Sequence, residues 1–352
     1  MLRSFAEIML HPWISDEKAS IISLKITYVP GFGLCIGIAA HHGILDGESL
    51  AMFVKSWAYL SKNFDPENFP SDLVPSFDWT VIKDPTGKLD MLYLDMWTKN
   101  TARMNPEANP RSLKVLEFGA RVDHQDFVRA TFDLKREDIN KLREKIQSIS
   151  NIDHTNLRLS SFTLTYAHAI ICFVKVKGLE GIVKVSFSFA ADLRRRLVPP
   201  VPENYFGNCI GSDKPTTVEA KDIIGDELGL VILAEHISNS IKDLGKDGYV
   251  ERLEDIKNSY SKLEPGPLGM INVGGSPKLE FYGVDFGWGK PKKVDFVSID
   301  KSTSFSMVES SDRSGGIEIG LVMKSREELQ AFASLFVHPR AQIIFVILTF
   351  IF

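Results

Sequence analysis

The residues with the greatest chemical potential lie in one short stretch, Ala39–Ala40–His41–His42–Gly43–Ile44–Leu45–Asp46–Gly47. Histidine changes its charge near neutral pH, so an imidazole at the end of a buried strand can act as a base there. Asp46 follows His42 by four residues. This HxxxD spacing on its own is compatible with a metal pair, a catalytic dyad or coincidence. A metal site would need more ligands nearby, and His11, His124, His154, His168, His236 and His338 are scattered without ligand spacing. No metal is expected.

The flanking residues dictate how these groups are carried. Ile21–Tyr28 alternates as a strand, Pro30–Gly33 is a turn, and Leu34–Ala40 is a second, buried strand, so a hairpin should deliver His41 and His42 to its end. Leu50, Phe53, Val54, Trp57 and Leu60 then recur at helical spacing, predicting a helix that leaves the motif. Prolines, glycines and acids break every period from Asn63 to Asn109, predicting an extended crossover without a long helix. Further helices are expected over Lys135–Ser148, Phe162–Val176 (capped by Ser160 and Ser161), Asp222–Ser240 and Glu327–Phe336. Strands are expected over Arg129–Leu134, Ile182–Ala190 and up to Met323. The irregular alternation favours a mixed α/β fold over a simple doubly wound sheet.

The 352 residues are 44% hydrophobic and 24% charged with a formal charge of −4, which suits a globular protein with a large core and offers no basic footprint for nucleic acid. Cys35, Cys172 and Cys209 form neither a CxxC pair nor an even set, which favours a reducing, cytoplasmic compartment. No secretory signal is read at the start, and the apolar run Ile343–Phe352 is too short to span a bilayer, so no membrane is expected.

Three stretches together are far more specific than HxxxD. Ala39–Gly47 (AAHHGILDG), Tyr205–Cys209 (YFGNC) and Asp285–Pro291 (DFGWGKP) resemble, in order and spacing, the plant BAHD acyl-CoA-dependent acyltransferases. YFGNC, preceded by Arg194, Arg196, Leu197 and Pro199–Pro200, is similar to the anthocyanin and phenolic-glucoside malonyltransferase branch. The resemblance implies a two-lobed chloramphenicol-acetyltransferase-like fold in a monomer. Residues 1–85 would be a remnant of the N-terminal lobe, 86–120 a crossover loop and 121–352 the C-terminal lobe. It implies acyl transfer, most readily malonyl, from acyl-CoA as co-substrate to a hydroxyl of a phenolic or flavonoid glucoside. Hydroxycinnamoyl-CoA is the rival donor, and neither metal nor acyl-enzyme is needed.

By the same resemblance His42 is the general base, and Asp46 positions its turn by pairing with Arg194 or, second, Arg196. Asp285, Gly287, Trp288 and Gly289 maintain the lobe, with Asp285 fixing the loop and Trp288 as a core anchor. The glycines alternating around Trp288 themselves suggest a backbone packed closely against a large ring. Ser160, Ser161, Ala191 and Asp192 are expected at the CoA channel, and Ser276 near the oxyanion or the acceptor, with an ordinary turn serine as the equal alternative. Lys290, Lys292 and Lys293 are read as a solvated charge run, with CoA phosphate contact as the alternative. His41 is expected to be a packed or hydrogen-bonded neighbour.

The sequence departs from the family pattern in three places. HxxxD comes at position 42 rather than well into the first lobe, Trp79 stands where an arginine is usual, and after Phe336 the chain runs through His338–Pro339–Arg340 into the apolar Ile343–Phe352, unlike the short polar ending of the family. These predict an incomplete first lobe, an abnormal tail, poor solubility and weak activity. The alternative is a truncated inactive paralogue that at most binds CoA or a partner.

Overall fold

A computed structural model describes residues 15–31, 33–104, 128–149, 157–225, 228–246, 248–297 and 303–337. Part of the expected crossover and the whole 338–352 tail lie outside these residues.

Strands β1 (Ile22–Val29) and β2 (Gly33–Ala40) form an antiparallel hairpin that pairs Ile22 with Ala40. The second half of β2 is buried on both faces, and the His41 N–H donates to the Ile21 carbonyl at 2.8 Å, so the chain leaves the hairpin at His41. Helix α1 (Gly47–Asn63) begins at Asp46, whose carboxylate accepts the Ser49 N–H as an N-cap. Leu50, Val54 and Ala58 are buried at helical spacing and define its core face.

Helix α2 (Leu89–Met104) lies inside the stretch expected to be extended. The periodicity was hidden by the turn before it: the Asp84 carboxylate accepts the Thr86 and Leu89 N–H groups and starts the helix directly after Pro85–Gly87. Met91, Tyr93 and Leu94 remain exposed, so no apolar stripe marks a buried face.

The remaining elements are built on a six-stranded sheet. In chain order they are β3 (Val128–Leu134), α3 (Arg136–Gln147), α4 (Ser161–Val176), β4 (Lys184–Phe187), β5 (Ala190–Asp192), β6 (Ile210–Ser212), β7 (Thr216–Glu219), α5 (Ala220–Ile224), α6 (Leu228–Leu244), α7 (Leu253–Ser261), β8 (Met270–Gly274), β9 (Ser304–Glu309), β10 (Ile317–Met323) and α8 (Arg326–Phe336). The sheet order is β3-β10-β9-β8-β4-β7, parallel only at the β9–β8 and β8–β4 pairs. The strand expected over Ile182–Ala190 is divided: β4 belongs to the large sheet, whereas β5 pairs with β6 in a separate ladder. The helix expected over Asp222–Ser240 is also two helices, and across their junction the Ile223 backbone approaches Gly229 so closely that a Cβ there would stand 2.2 Å from the Ile223 carbonyl oxygen. Helix α7 and strands β8 and β9 carry too little periodicity to be read beforehand.

Two hydrophobic cores result. The larger is centred on α4, buried nearly all round, and includes β3, β10 and α8. The smaller joins Ile38, Ala40, Leu45, Leu50 and Val54 to Leu279, Phe281, Tyr282, Val284, Val294 and Phe296. Residues far apart in sequence thus meet beside the histidine turn. The outer part of the hairpin leaves Leu24, Ile26, Tyr28 and Leu34 exposed.

Candidate active site

His42 stands exposed on the turn between β2 and α1. Its backbone is held from outside by Asn208, whose Nδ2 donates to the His42 carbonyl at 2.7 Å. Asn208 belongs to the YFGNC stretch, so two of the three sequence motifs meet here. Asp46 is turned away into the protein, with a fully buried side chain.

Arg194 is the partner of Asp46. Its guanidinium donates to both carboxylate oxygens at 2.9 and 3.0 Å, the planar bidentate arrangement that arginine favours. Arg194 is only 2% exposed and donates to several further groups around it. Nη1 also reaches Asp192 at 2.8 Å, while Nη2 reaches the Ser49 hydroxyl at 3.1 Å and the carbonyls of Gly207 and Tyr205 at 3.1 and 3.3 Å. Asp46 accepts the Cys209 N–H at 2.8 Å as well as the Ser49 N–H. Burial disfavours the Arg194 cation, but the hydrogen bonds and charges of Asp46 and Asp192 outweigh it and hold its pKa above the usual value. The ion pair stitches the first turn of α1 to residues 192–209. Arg196 takes no part: it donates to the Ile241 carbonyl of α6, and burial lowers its pKa.

Ser49 was not singled out in the sequence, because a serine in a helix's first turn has no distinctive spacing. It accepts the Gly207 N–H at 2.9 Å and lies 2.8 Å from the Gly207 carbonyl, to which its hydroxyl can donate. Burial pushes the Cys209 thiol up to about 11 and the Cys172 thiol to about 12, so both stay protonated at neutral pH and are poor nucleophiles. Cys35 is a third buried free cysteine. Glu48, next to the cluster, has its pKa raised by burial and then by the charge of Asp192. Among the described residues no group of His, Cys, Asp and Glu could hold a metal ion.

The other expected site residues fall in several places. Asp192 joins the Arg194 cluster from β5, beside Ala191. Ser160 caps α4 by accepting the Thr163 N–H, and Ser161 is the first residue of that helix. Ser276 caps a short 3-10 turn, Pro277–Leu279, and the Leu279 side chain lies against Gly47 at the start of α1.

The DFGWG stretch corrects two expectations. Trp288 is 68% exposed and anchors no core; Phe286 takes that place, edge-to-face with Trp57 of α1 at a centroid distance of 4.9 Å. The glycines do not mark close packing against a ring either. Both adopt positive φ, +97° at Gly287 and +99° at Gly289, which only glycine tolerates readily. That conformation turns both N–H groups onto one Asp285 oxygen, at 2.8 and 3.0 Å, while the other oxygen pairs with Lys62 of α1 at 2.6 Å. Lys293 is not part of a solvated run: it is largely buried and pairs with Glu318 of β10 at 2.6 Å, whereas Lys290 and Lys292 are exposed.

Comparison with known proteins identifies the relatives of this arrangement. The Transferase family matches residues 4–338. The chain is 39% identical over 325 residues to a malonyl-CoA:anthocyanidin 5-O-glucoside-6''-O-malonyltransferase of Arabidopsis thaliana, covering 92% of this chain and 69% of that protein. It is 39% identical over 326 residues to phenolic glucoside malonyltransferase 1 of Arabidopsis thaliana, covering 89% and 67%. Among solved structures vinorine synthase superposes with a TM-score of 0.59 at 23% identity, over 89% of this chain and 64% of that one. The chain thus spans about two thirds of the length of the proteins it matches. The mixed α/β architecture is that of these acyltransferases, and no helix among the described residues is long and apolar enough to cross a membrane. The chain belongs to the BAHD family of acyl-CoA-dependent acyltransferases.

Proposed function

We propose that the protein transfers a malonyl group from malonyl-CoA to a hydroxyl of a phenolic or flavonoid glucoside, with His42 as general base. The observation that carries this reading is an exposed imidazole on a turn whose backbone is clamped by Asn208 on one side and by the buried Asp46–Arg194 pair on the other. The activities named for the two Arabidopsis relatives supply the donor and acceptor class. His42 removes the proton from the acceptor hydroxyl as its oxygen attacks the thioester carbonyl. The tetrahedral oxyanion collapses, the C–S bond breaks, and the imidazolium returns its proton to the departing CoA thiolate. Asp46 serves by position: both of its oxygens are engaged with Arg194, so it relays no proton to His42. The reaction is direct, since the buried thiols stay protonated and no acyl-enzyme is required.

A CoA-release assay with malonyl-CoA and hydroxycinnamoyl-CoA, each against a panel of phenolic glucosides, tests this reading. The expected result is malonyl-dependent CoA release that His42→Ala abolishes while the protein stays folded. Full turnover by His42→Ala would refute the mechanism. Thermal stabilisation by CoA without turnover in the unaltered chain would support a binding role instead.

A further inference from the structure

His41 is not a bystander beside the base. Its imidazole Nδ1 lies 3.2 Å from the Gly43 nitrogen and accepts that N–H, so the ring of residue 41 and the backbone of residue 43 close over residue 42. The ring is also packed tightly against Gly43: a Cβ there would stand 3.0 Å from both Nδ1 and Cε1. The same residue holds the turn by its main chain, since its carbonyl accepts the Ile44 N–H at 2.9 Å and the Leu45 N–H at 3.3 Å. With Nδ1 acting as an acceptor, the neutral ring must carry its proton on Nε2. That nitrogen is buried and has no partner among the described residues. Among the described residues, then, only Nδ1 of the two ring nitrogens has a partner.

The geometry points to His41 as a positioning residue, whose Nδ1 clasp on the Gly43 N–H fixes the backbone of His42 and so aims the base. This rests on the reading of His42 as the base. The clasp resembles an Asx turn, in which a short side-chain acceptor captures the N–H two residues on. An asparagine Oδ1 stands near the place of Nδ1, whereas a glutamine amide reaches toward the place of Nε2. The two replacements therefore separate the nitrogens.

The test compares His41→Asn, His41→Gln and His41→Leu by steady-state CoA release and by hydrogen–deuterium exchange over residues 40–45. His41→Asn should keep kcat within a few-fold and keep the Gly43 amide protected. His41→Gln and His41→Leu should speed exchange at that amide and lower kcat about 100-fold with little change in KM, as expected of a small displacement of a catalytic group. Retained kcat in His41→Gln with loss in His41→Asn would overturn the assignment, because it would give the work to Nε2. The unaltered protein offers a reading that needs no turnover: a Gly43 amide exchanging as fast as in an unstructured peptide would also overturn it. Absence of CoA release from every donor and acceptor would refute the proposed function, while the exchange data would still decide the clasp.

Discussion

Replacing Asp46 by alanine should cost far more stability than its exposed neighbours could explain. The substitution removes two hydrogen bonds to Arg194 and the acceptors of the Ser49 and Cys209 N–H groups, all in a dry setting. It leaves the guanidinium buried, with Asp192 as its remaining charged partner. Breaking a buried pair from one side costs about 3–5 kcal/mol, and loss of a helix N-cap alone about 0.5–2 kcal/mol. The two overlap at one carboxylate, so the expected loss is about 3–5 kcal/mol rather than their sum. Against a total of about 5–15 kcal/mol for a native domain, this is a large fraction. Asp46→Asn separates the contributions. It can still cap α1 through Oδ1, but its amide N–H2 must then face both the Arg194 Nη1 and the Cys209 N–H, so most of the loss should remain. Arg194→Met should cost a similar amount, and the double variant Asp46→Ala/Arg194→Met less than the two single losses added together. Urea unfolding followed by circular dichroism reads each term as a shift in midpoint at constant slope. A coupling of about 2 kcal/mol or more, unchanged by 0.5 M salt on the order of magnitude expected for an unscreened buried pair, is the predicted outcome. Additivity within about 0.5 kcal/mol would refute the reasoning, because it would mean that the two residues are stabilised independently.

Three other outcomes are expected. Asn208→Leu removes the donor to the His42 carbonyl; kcat should fall about tenfold or more with KM nearly unchanged, as for a displaced catalytic group, and an unchanged kcat would show that the turn needs no brace from that side. Trp288→Ala should change stability by less than about 1 kcal/mol, as an exposed residue does, whereas Phe286→Ala, which strips Trp57 of its half-buried edge-to-face partner, should cost about 1–3 kcal/mol in urea unfolding. His168 is half-buried on α4, stacked on Phe336 with Nε2 donating to the Phe336 carbonyl, and its pKa is lowered, chiefly by desolvation of the ring. The unfolded chain therefore takes up this proton first, so the contribution of His168 is present above pH 6.5 and lost as pH falls below it; urea midpoints measured from pH 7.5 to 5.0 should decline more steeply in the unaltered protein than in His168→Gln.

The local elements around the site were legible because they obey short-range rules. The hairpin from alternation, α1 from helical spacing and α4 from its serine cap all match to within a few residues, as local periodicity and capping are properties of neighbouring residues. Helix α2 was not legible, since a helix with exposed apolar residues and an Asx-capped start carries no clear stripe. The division of Ile182–Ala190 between two ladders was equally hidden, because strand pairing depends on distant partners.

The sequence by itself singled out the residues proposed to carry chemistry, His42 and Asp46 in HxxxD, and its family resemblance named Arg194 as the first candidate partner of Asp46. It did so because motif residues occur at fixed chain positions, whatever the fold does around them. Only the tertiary structure decided what each one touches. Arg194 rather than Arg196 reaches Asp46, Asn208 reaches the His42 carbonyl across 166 residues of chain and Ser49 meets Gly207 across 158, and Phe286 rather than Trp288 packs against the core. The same holds for His41, whose sequence position says nothing about which ring nitrogen accepts a hydrogen bond. Burial and hydrogen-bond direction arise from the packing of remote segments, and no local spacing encodes them.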